Sequence, residues 1–132
     1  MENLELAREF FKGDRFQQRA GVEIEEVSNS HSVCVIRLTP DHFNADGVVQ
    51  GGVIYTLADS AFAIAANTKD FLSLTLSASI QYISKAKGEL IRAKANLVSK
   101  SKRVSFFKVD IFDENDALIA TANMTGYIKP RV

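Results

Sequence analysis

The sequence has a single cysteine, two histidines and two prolines among its 132 residues. The lone Cys34 cannot form an internal disulfide, and its place in an apolar run predicts a buried strand residue rather than a nucleophile. We expect His31 to lie in a polar turn with a solvated side chain. These residues indicate no metal site and no redox cofactor.

The chain also lacks an excess of charge of either sign, since it has 16 basic and 16 acidic residues. This balance offers no global attraction to nucleic acid or to an anionic membrane, so we expect neither as a partner. The first residues lack the basic start and the apolar core of a signal peptide, so we expect a cytoplasmic protein. The most apolar stretch is interrupted by Gln50, two glycines and Asp59, which argues against a membrane span.

The composition is 46% hydrophobic, and a chain of this length can build one domain with a real core. No repeat, linker or low-complexity tract divides it. We therefore expect a single domain over residues 1–132 that begins with a short helix.

Hydrophobic periodicity predicts the order of the secondary-structure elements. The pattern predicts a helix over 2–12, a hairpin over 22–38 with its turn at 28–31, a helix over about 52–67, and strands at 72–84, 89–100, 103–112 and 117–128. One apolar helix needs cover on most sides, and a curved antiparallel sheet of about five strands can wrap it. The pattern by itself predicts an α+β domain with a central helix.

The central helix carries one charged residue, Asp59, among apolar neighbours. Burying an unpaired charge costs several kcal/mol in practice. Asp59 must therefore find hydrogen-bond donors, shift its pKa upward, or border a cleft that water can reach. Each of these outcomes is common at functional sites.

Two glycines, Gly51 and Gly52, stand where this helix should begin. Without Cβ atoms they let another molecule approach the first free backbone N–H groups, which suit a developing oxyanion. A glycine pair alone more often marks only a turn. Here Asn44 lies seven residues before Gly51, and Asp59 eight residues after it.

These residues resemble the motif of the hot-dog-fold acyl-CoA thioesterases of the PaaI type, named for phenylacetic acid degradation. The motif has the form N-x-x-G-x-x-(H/Q)-G-G followed by a helix with L-x-D. It stands here as Asn44, Gly47, Gln50, Gly51, Gly52, Leu57 and Asp59, and a later part of the pattern as Thr75, Tyr82 and Ala86. The resemblance extends from about Gly21 to Ile128 and implies the hot-dog fold.

The resemblance implies an acyl-CoA substrate and a role for each residue of the motif. The Gly51 N–H would hold the thioester oxygen, Asp59 would act as general base or as nucleophile, and Asn44 would orient water or substrate. Thr75 would position Asp59 or the water, with Ser77 as its substitute if the register differs.

The spacing of the helix predicts an active site shared between subunits. Eight residues separate Gly51 from Asp59, or roughly 12 Å along a helix, so one thioester carbonyl cannot easily touch both. We predict that Gly51 and Asn44 of one subunit face Asp59 and Thr75 of another, which makes a homodimer the minimal unit. Relatives that pair dimers suggest a tetramer built as a dimer of dimers.

Gln50 departs from the resemblance, because relatives commonly have histidine before the glycine pair. An amide does not titrate near neutral pH, so we expect Gln50 to shape the helix start beside the substrate. His42 could supply a base instead, although a role in loop packing is favoured. The basic turn of Lys100, Lys102 and Arg103 is a candidate for the phosphates of coenzyme A, against the alternative of a merely solvated turn.

Two alternatives to a thioesterase remain at this level. A non-catalytic acyl-CoA-binding module would need no carboxylate beside the carbonyl, and the presence of Asp59 counts against it. A hot-dog dehydratase or hydratase usually pairs an acid with a histidine, which Gln50 replaces here.

Overall fold

The computed structural model describes residues 1–132. Nine helices and strands follow one another along the chain: α1 (Leu4–Phe11), α2 (Arg15–Ala20), β1 (Val22–Ser28), β2 (His31–Arg37), α3 (Gly51–Ala66), β3 (Phe71–Tyr82), β4 (Leu90–Lys100), β5 (Val104–Asp113) and β6 (Leu118–Pro130). A single 3-10 turn over Pro40–His42 precedes α3. None of the helices combines the length and hydropathy that crossing a lipid bilayer requires.

The six strands form one antiparallel sheet in the order β1-β2-β4-β5-β6-β3. Strands β4, β5 and β6 form an antiparallel meander, whereas β3 lies at the far edge and pairs with β6. Every strand contacts α3, so the sheet wraps the helix. The predicted α+β architecture of a curved sheet around one central helix is confirmed, with six strands rather than about five.

Helix α3 is buried along most of its surface, because its apolar residues face the sheet from several directions. The fully buried positions include Leu57, Ala58, Ala61 and Ile64. One stripe stays partly uncovered, and its residues recur every three or four positions: Gly52, Thr56, Asp59, Ala63 and Ala66. The only charge of the helix therefore lies on the only face that the sheet leaves open.

Helix α1 matches the predicted N-terminal helix, but α2 was not predicted. The predicted helix ends at residue 12, because Gly13 and Asp14 break its apolar pattern. In the structure the Asp14 side chain instead accepts a hydrogen bond from the Gln17 N–H (2.9 Å) and starts a second helix. Gly21 ends this helix with a positive φ of 86°.

The β1–β2 turn is shorter than predicted. Ser30 takes a positive φ of 62°, and His31 already belongs to β2, with its Nδ1 2.8 Å from the Asn96 side chain. The expectation for Cys34 is confirmed, because its side chain is fully buried in β2. Burial raises the pKa of the Cys34 thiol to about 12, so the thiolate is not available at neutral pH.

Strand β3 contains a β-bulge between Thr75 and Ser77. Thr75 lies opposite Gly126, and Tyr82 lies opposite Ala120 on the same neighbouring strand. Seven residues separate Thr75 from Tyr82, and a regular strand would place side chains at an odd separation on opposite faces. The extra residue of the bulge puts both of them on the face that looks toward α3.

Candidate active site

The start of α3 presents one free backbone donor. The Gln50 side chain accepts a hydrogen bond from the Gly52 N–H (2.5 Å), and the Gln50 carbonyl accepts from the Val53 N–H (2.9 Å). The Gly51 N–H has no hydrogen-bond partner within the chain. Gln50 thus caps the helix, and the expectation that both glycines offer a free N–H is wrong for Gly52.

Tyr82 fixes the backbone of Gly51 from the side of the sheet. Its hydroxyl donates to the Gly51 carbonyl (3.0 Å), and its ring lies 3.5 Å from the place where a Cβ of residue 51 would stand. Tyr82 was part of the sequence motif without an assigned role. Its position on the α3-facing side of β3 depends on the bulge, which the sequence pattern did not reveal.

Asp59 lies half-buried two turns further along α3 and forms no ion pair. Burial raises the pKa of the Asp59 carboxyl, the negative charge of Asp14 adds to the rise, and the nearby Thr75 hydroxyl partly offsets it. Burial and the charge of Asp59 also raise the pKa of Tyr55, one turn earlier on the helix. The carboxylate therefore binds a proton more readily than an exposed aspartate.

Thr75, rather than Ser77, is the hydroxyl residue of β3 beside Asp59. Thr75 precedes the bulge and lies beside the Asp59 carboxylate, whereas Ser77 follows the bulge and lies opposite Thr125. The structure brings Asp59 and Thr75 together within one subunit. The alternative register that favoured Ser77 does not occur.

Asn44 holds the loop before α3 in shape. Its side-chain oxygen accepts hydrogen bonds from the backbone N–H groups of Asp46 (2.9 Å) and Val48 (3.0 Å). The side-chain amide group donates no hydrogen bond within the chain. The structure does not bring Asn44 into contact with Asp59, and its contact with water or substrate stays a prediction.

His42 is buried and both of its ring nitrogens are occupied. Its Nδ1 accepts the backbone N–H of Thr39 (3.0 Å), and its Nε2 therefore carries a proton, which it donates to the Ala20 carbonyl (2.8 Å). These bonds tie the end of α2 to the loop that leads into α3. The favoured role of His42 in loop packing agrees with these contacts, and His42 has no free ring nitrogen to act as a base.

Gly51 and the basic turn lie at opposite ends of α3 in one subunit. Lys100 lines a cavity together with Ala65 and Ala66 at the end of the helix, roughly 20 Å from Gly51. Lys102 and Arg103 continue the same exposed turn. Their predicted contact with coenzyme A phosphates stays a prediction.

An open groove of about 540 Å³ lies beside the start of α3. It is lined by α2, by the loop that carries His42 and by the first two turns of α3, including Gln50, Gly52 and Tyr55. Sequence reasoning missed this groove because α2 was not predicted. Asp14, at the start of α2, was missed as a neighbour of Asp59 for the same reason.

The sequence pattern of the thioesterase superfamily matches residues 46–120, which include the helix start, Asp59 and Thr75. The chain belongs to the thioesterase superfamily. As a member it is a thioester hydrolase. The candidate groups for such a reaction are the Asp59 carboxylate, the Thr75 hydroxyl and the Gly51 N–H.

Similar proteins agree with this assignment. A protein of Archaeoglobus fulgidus is 30% identical over 118 residues, which cover 89% of this chain and 77% of the relative. That protein is provisionally named as an esterase. The acyl-coenzyme A thioesterase PaaI of Escherichia coli is 21% identical over 86% of this chain and 82% of its own length. Human acyl-coenzyme A thioesterase 13 is 26% identical over 94% of this chain and 92% of its own.

Solved structures show the same fold. The Escherichia coli PaaI protein superimposes with a TM-score of 0.87 at 19% identity, covering 92% of this chain and 88% of that one. A thioesterase of Streptococcus pneumoniae with coenzyme A superimposes with a TM-score of 0.82 at 22% identity, covering 92% and 98%. The resemblance to PaaI-type hot-dog thioesterases is confirmed, and the fold is the hot-dog fold.

The surroundings of Asp59 predict how its titration responds to its neighbours. Thr75→Val removes a hydroxyl that favours the carboxylate and should raise the pKa of Asp59 further. Asp14→Asn removes a negative charge while keeping a good helix cap and should lower it. NMR titration of protein labelled at the aspartate carboxyl carbons measures both shifts. Ser77→Ala is the control and should leave the pKa of Asp59 unchanged. An Asp59 pKa that stays the same in Thr75→Val and Asp14→Asn would contradict the position of these two residues beside Asp59.

Proposed function

We propose that the protein is an acyl-CoA thioesterase, which hydrolyses the thioester bond of acyl-CoA to a free acid and coenzyme A. The observation that carries the proposal is a half-buried carboxylate without a counter-ion, Asp59, placed beside Thr75 in a thioesterase chain. Relatives named as acyl-coenzyme A thioesterases support the choice of coenzyme A as the leaving group.

The reaction requires a nucleophile at the thioester carbon and a donor at its oxygen. Asp59 either takes a proton from a water that attacks the carbonyl carbon, or attacks that carbon itself. In both cases the carbon–sulfur bond breaks, and coenzyme A leaves as a thiolate that takes up a proton. In the second case water then hydrolyses the anhydride between the acyl group and Asp59, which frees the acid and the carboxylate. The raised pKa of Asp59 suits proton transfer nearer to neutral pH.

The Gly51 N–H supplies the donor for the carbonyl oxygen. It is unpaired, and it points from the positive end of the α3 dipole, where negative charge is stabilised. Tyr82 and Gln50 hold the surrounding backbone in place. Gln50 therefore contributes the shape of the helix start, and the reaction needs no titrating side chain at this position.

One subunit does not place these groups around a single carbonyl. Gly51 and Asp59 lie on the same helix, roughly 12 Å apart along its axis. We therefore assign Gly51 and Asn44 of one subunit and Asp59 and Thr75 of another to each site. The homodimer is the smallest active unit in this proposal, and a dimer of dimers stays a prediction.

The two edges of the sheet differ in a way that favours pairing through β3. The β1 edge is protected, because Arg8 of α1 donates two hydrogen bonds to the Ile24 carbonyl (3.2 and 2.8 Å) and because β1 carries three glutamates. The β3 edge has no partner in the chain. Its 12 residues carry no charge, and the side chains of Leu74 and Leu76 are 45% and 60% exposed.

An antiparallel pair of β3 strands from two copies would satisfy the free backbone groups on both sides at once. The partly uncovered stripe of α3 lies beside β3, so the same contact would cover Asp59 and Thr75. The position of the interface next to these residues supports a site built from both subunits.

Asp59→Asn should reduce kcat by about a hundredfold or more, since the base or nucleophile is lost while the shape remains. Because the pKa of Asp59 is raised in the folded protein, its ionisation lowers the free energy of unfolding as the pH rises through that pKa. The uncharged asparagine avoids this loss, so the fold should be kept. Thiol release from a panel of aryl and fatty acyl-CoA thioesters measures the loss, and thermal unfolding checks the fold. Asp70→Asn, at an exposed loop acid, is the control. Unchanged turnover in Asp59→Asn would overturn the assignment.

Gly51→Ala should separate catalysis from stability. A Cβ at residue 51 would make only an ordinary contact, 3.5 Å, with Tyr82, so the fold should be as stable as before or slightly more so. The same Cβ would crowd the oxygen at the free N–H, and kcat/KM should fall by about tenfold or more. Gly13→Ala, which meets a similar 3.5 Å contact with the Phe10 carbonyl and lies away from the Gly51 N–H, should change neither quantity. Full activity in Gly51→Ala would remove this N–H from the mechanism.

Leu76→Lys should convert the protein to a monomer and abolish turnover, since a charge at an exposed strand edge opposes pairing with a second copy. Light scattering coupled to size-exclusion chromatography measures the mass, and thiol release measures the activity. Val98→Lys changes another exposed residue, on β4, and should leave both unchanged. An active monomer would refute the shared site.

A further inference from the structure

The peptide unit between Gly51 and Gly52 is held at both of its ends. Its carbonyl, that of Gly51, accepts a hydrogen bond from the Tyr82 hydroxyl (3.0 Å). Its N–H, that of Gly52, donates to the Gln50 side chain (2.5 Å). Two glycines in succession leave a peptide unit unusually free to rotate, because neither residue has a Cβ that limits its torsions. The two side-chain contacts supply the restraint that the glycines lack.

The hydrogen bond from Tyr82 is not needed to pair either of its ends. Gly51 is the first residue of α3, and in an α-helix its carbonyl already faces the N–H four residues further on. Tyr82 is 53% exposed, so water could pair with its hydroxyl if Gly51 did not. A bond between groups that have other partners contributes little to stability. Its effect is therefore on the orientation of the helix start.

The free N–H of Gly51 belongs to the preceding peptide unit. Peptide units are planar, so only the two backbone torsions of Gly51 connect this unit to the one that Tyr82 and Gln50 hold. The direction of the free N–H depends on the second unit for that reason. The Tyr82 ring and hydroxyl also lie 3.5 Å from the place where a Cβ of residue 51 would stand, and they close one side of the approach to the helix start.

Strand β3 contacts both functional parts of α3. Thr75 lies beside the Asp59 carboxyl, and Tyr82, at the other side of the bulge, donates to Gly51. Under the proposed function these two parts of one helix belong to different sites of the dimer. Tyr82 would then serve one site while Thr75 of the same strand serves the other.

We propose that Tyr82 is a positioning residue for thioester hydrolysis, whose hydroxyl fixes the direction in which the Gly51 N–H meets the carbonyl oxygen. The inference rests on the proposed function and adds a residue to it. Tyr82 acts through Gly51 of its own subunit, and so it serves the site that takes Asp59 from the other subunit. A donor held in one direction stabilises the oxyanion of the transition state more than the neutral carbonyl of the substrate.

Tyr82→Phe removes the hydroxyl and keeps the ring. On the acyl-CoA of the aryl and fatty panel that the wild type hydrolyses fastest, kcat should fall by about tenfold while KM changes by less than about twofold. The unfolding temperature should stay that of the wild type, because the lost bond contributes little to stability. Tyr127→Phe is the matched control. Tyr127 follows Gly126 on β6, so its side chain points to the other face of the sheet from α3, and the change should alter none of these quantities.

Mixed dimers, purified through a different affinity tag on each subunit, test which site Tyr82 serves. In the first dimer one subunit carries Asp59→Asn and the other carries Tyr82→Phe. If Tyr82 acts through its own Gly51, one of the two sites of this dimer keeps every group intact. In the second dimer both substitutions lie in one subunit, beside a wild-type subunit, and its single site with Asp59 then lacks the Tyr82 hydroxyl. The first dimer should be about tenfold faster than the second.

Wild-type kcat in Tyr82→Phe would overturn the inference and leave the proposed function intact. A fall in kcat that comes with an equal fall in Tyr127→Phe, or with a lower unfolding temperature, would also overturn it, since it would show a structural role. Mixed dimers of equal activity, or a faster second dimer, would remove the link through Gly51. If the wild type hydrolyses no thioester of the panel, the proposed function itself fails, so the two failures are distinguishable.

Discussion

The structure depends on covering one apolar helix that carries a single carboxylate. The sheet wraps α3 so completely that eight of its 16 residues are buried, including Phe62 and Ile64 on nearly opposite sides of the helix. Asp59 tolerates this environment only because it lies on the stripe that the sheet leaves open. The same placement raises its pKa, brings Thr75 beside it and keeps it within reach of another molecule. The stripe of α3 that the sheet leaves uncovered is therefore also the place of the reactive carboxylate.

Side chains and backbone groups at the start of α3 determine which N–H donors are paired and which one is free. The Gln50 side chain accepts from the Gly52 N–H and the Gln50 carbonyl accepts from the Val53 N–H, so the Gly51 N–H alone remains unpaired at the positive end of the helix. A helix end with several free donors would hold an anion in several ways. Leaving one donor free defines a direction for the group that it binds.

Much of the fold could be predicted from the sequence, because most elements show their own periodicity. The bounds of α3 were predicted to within one residue, and the strands alternate clearly. The position of β3 beside β6 could not be predicted, since strand order depends on contacts between distant residues. Helix α2 was not predicted, because Gly13 and Asp14 break the apolar pattern after the first helix, although aspartate also starts helices. The hydrogen bond from Tyr82 to the Gly51 carbonyl has no sequence signal of its own, because it depends on the bulge that places Tyr82 on the α3 side of β3.

The β-bulge in β3 limits which insertions and deletions the strand can accept. Thr75 and Tyr82 both contact α3 although an odd number of residues separates them, and only the extra residue at the bulge reconciles the two. Deleting Leu76 would let β3 pair with β6 without interruption, and the hydrogen-bonded ladder would gain regularity. One of the two side chains would then point away from the helix. The fold therefore constrains the number of residues between Thr75 and Tyr82.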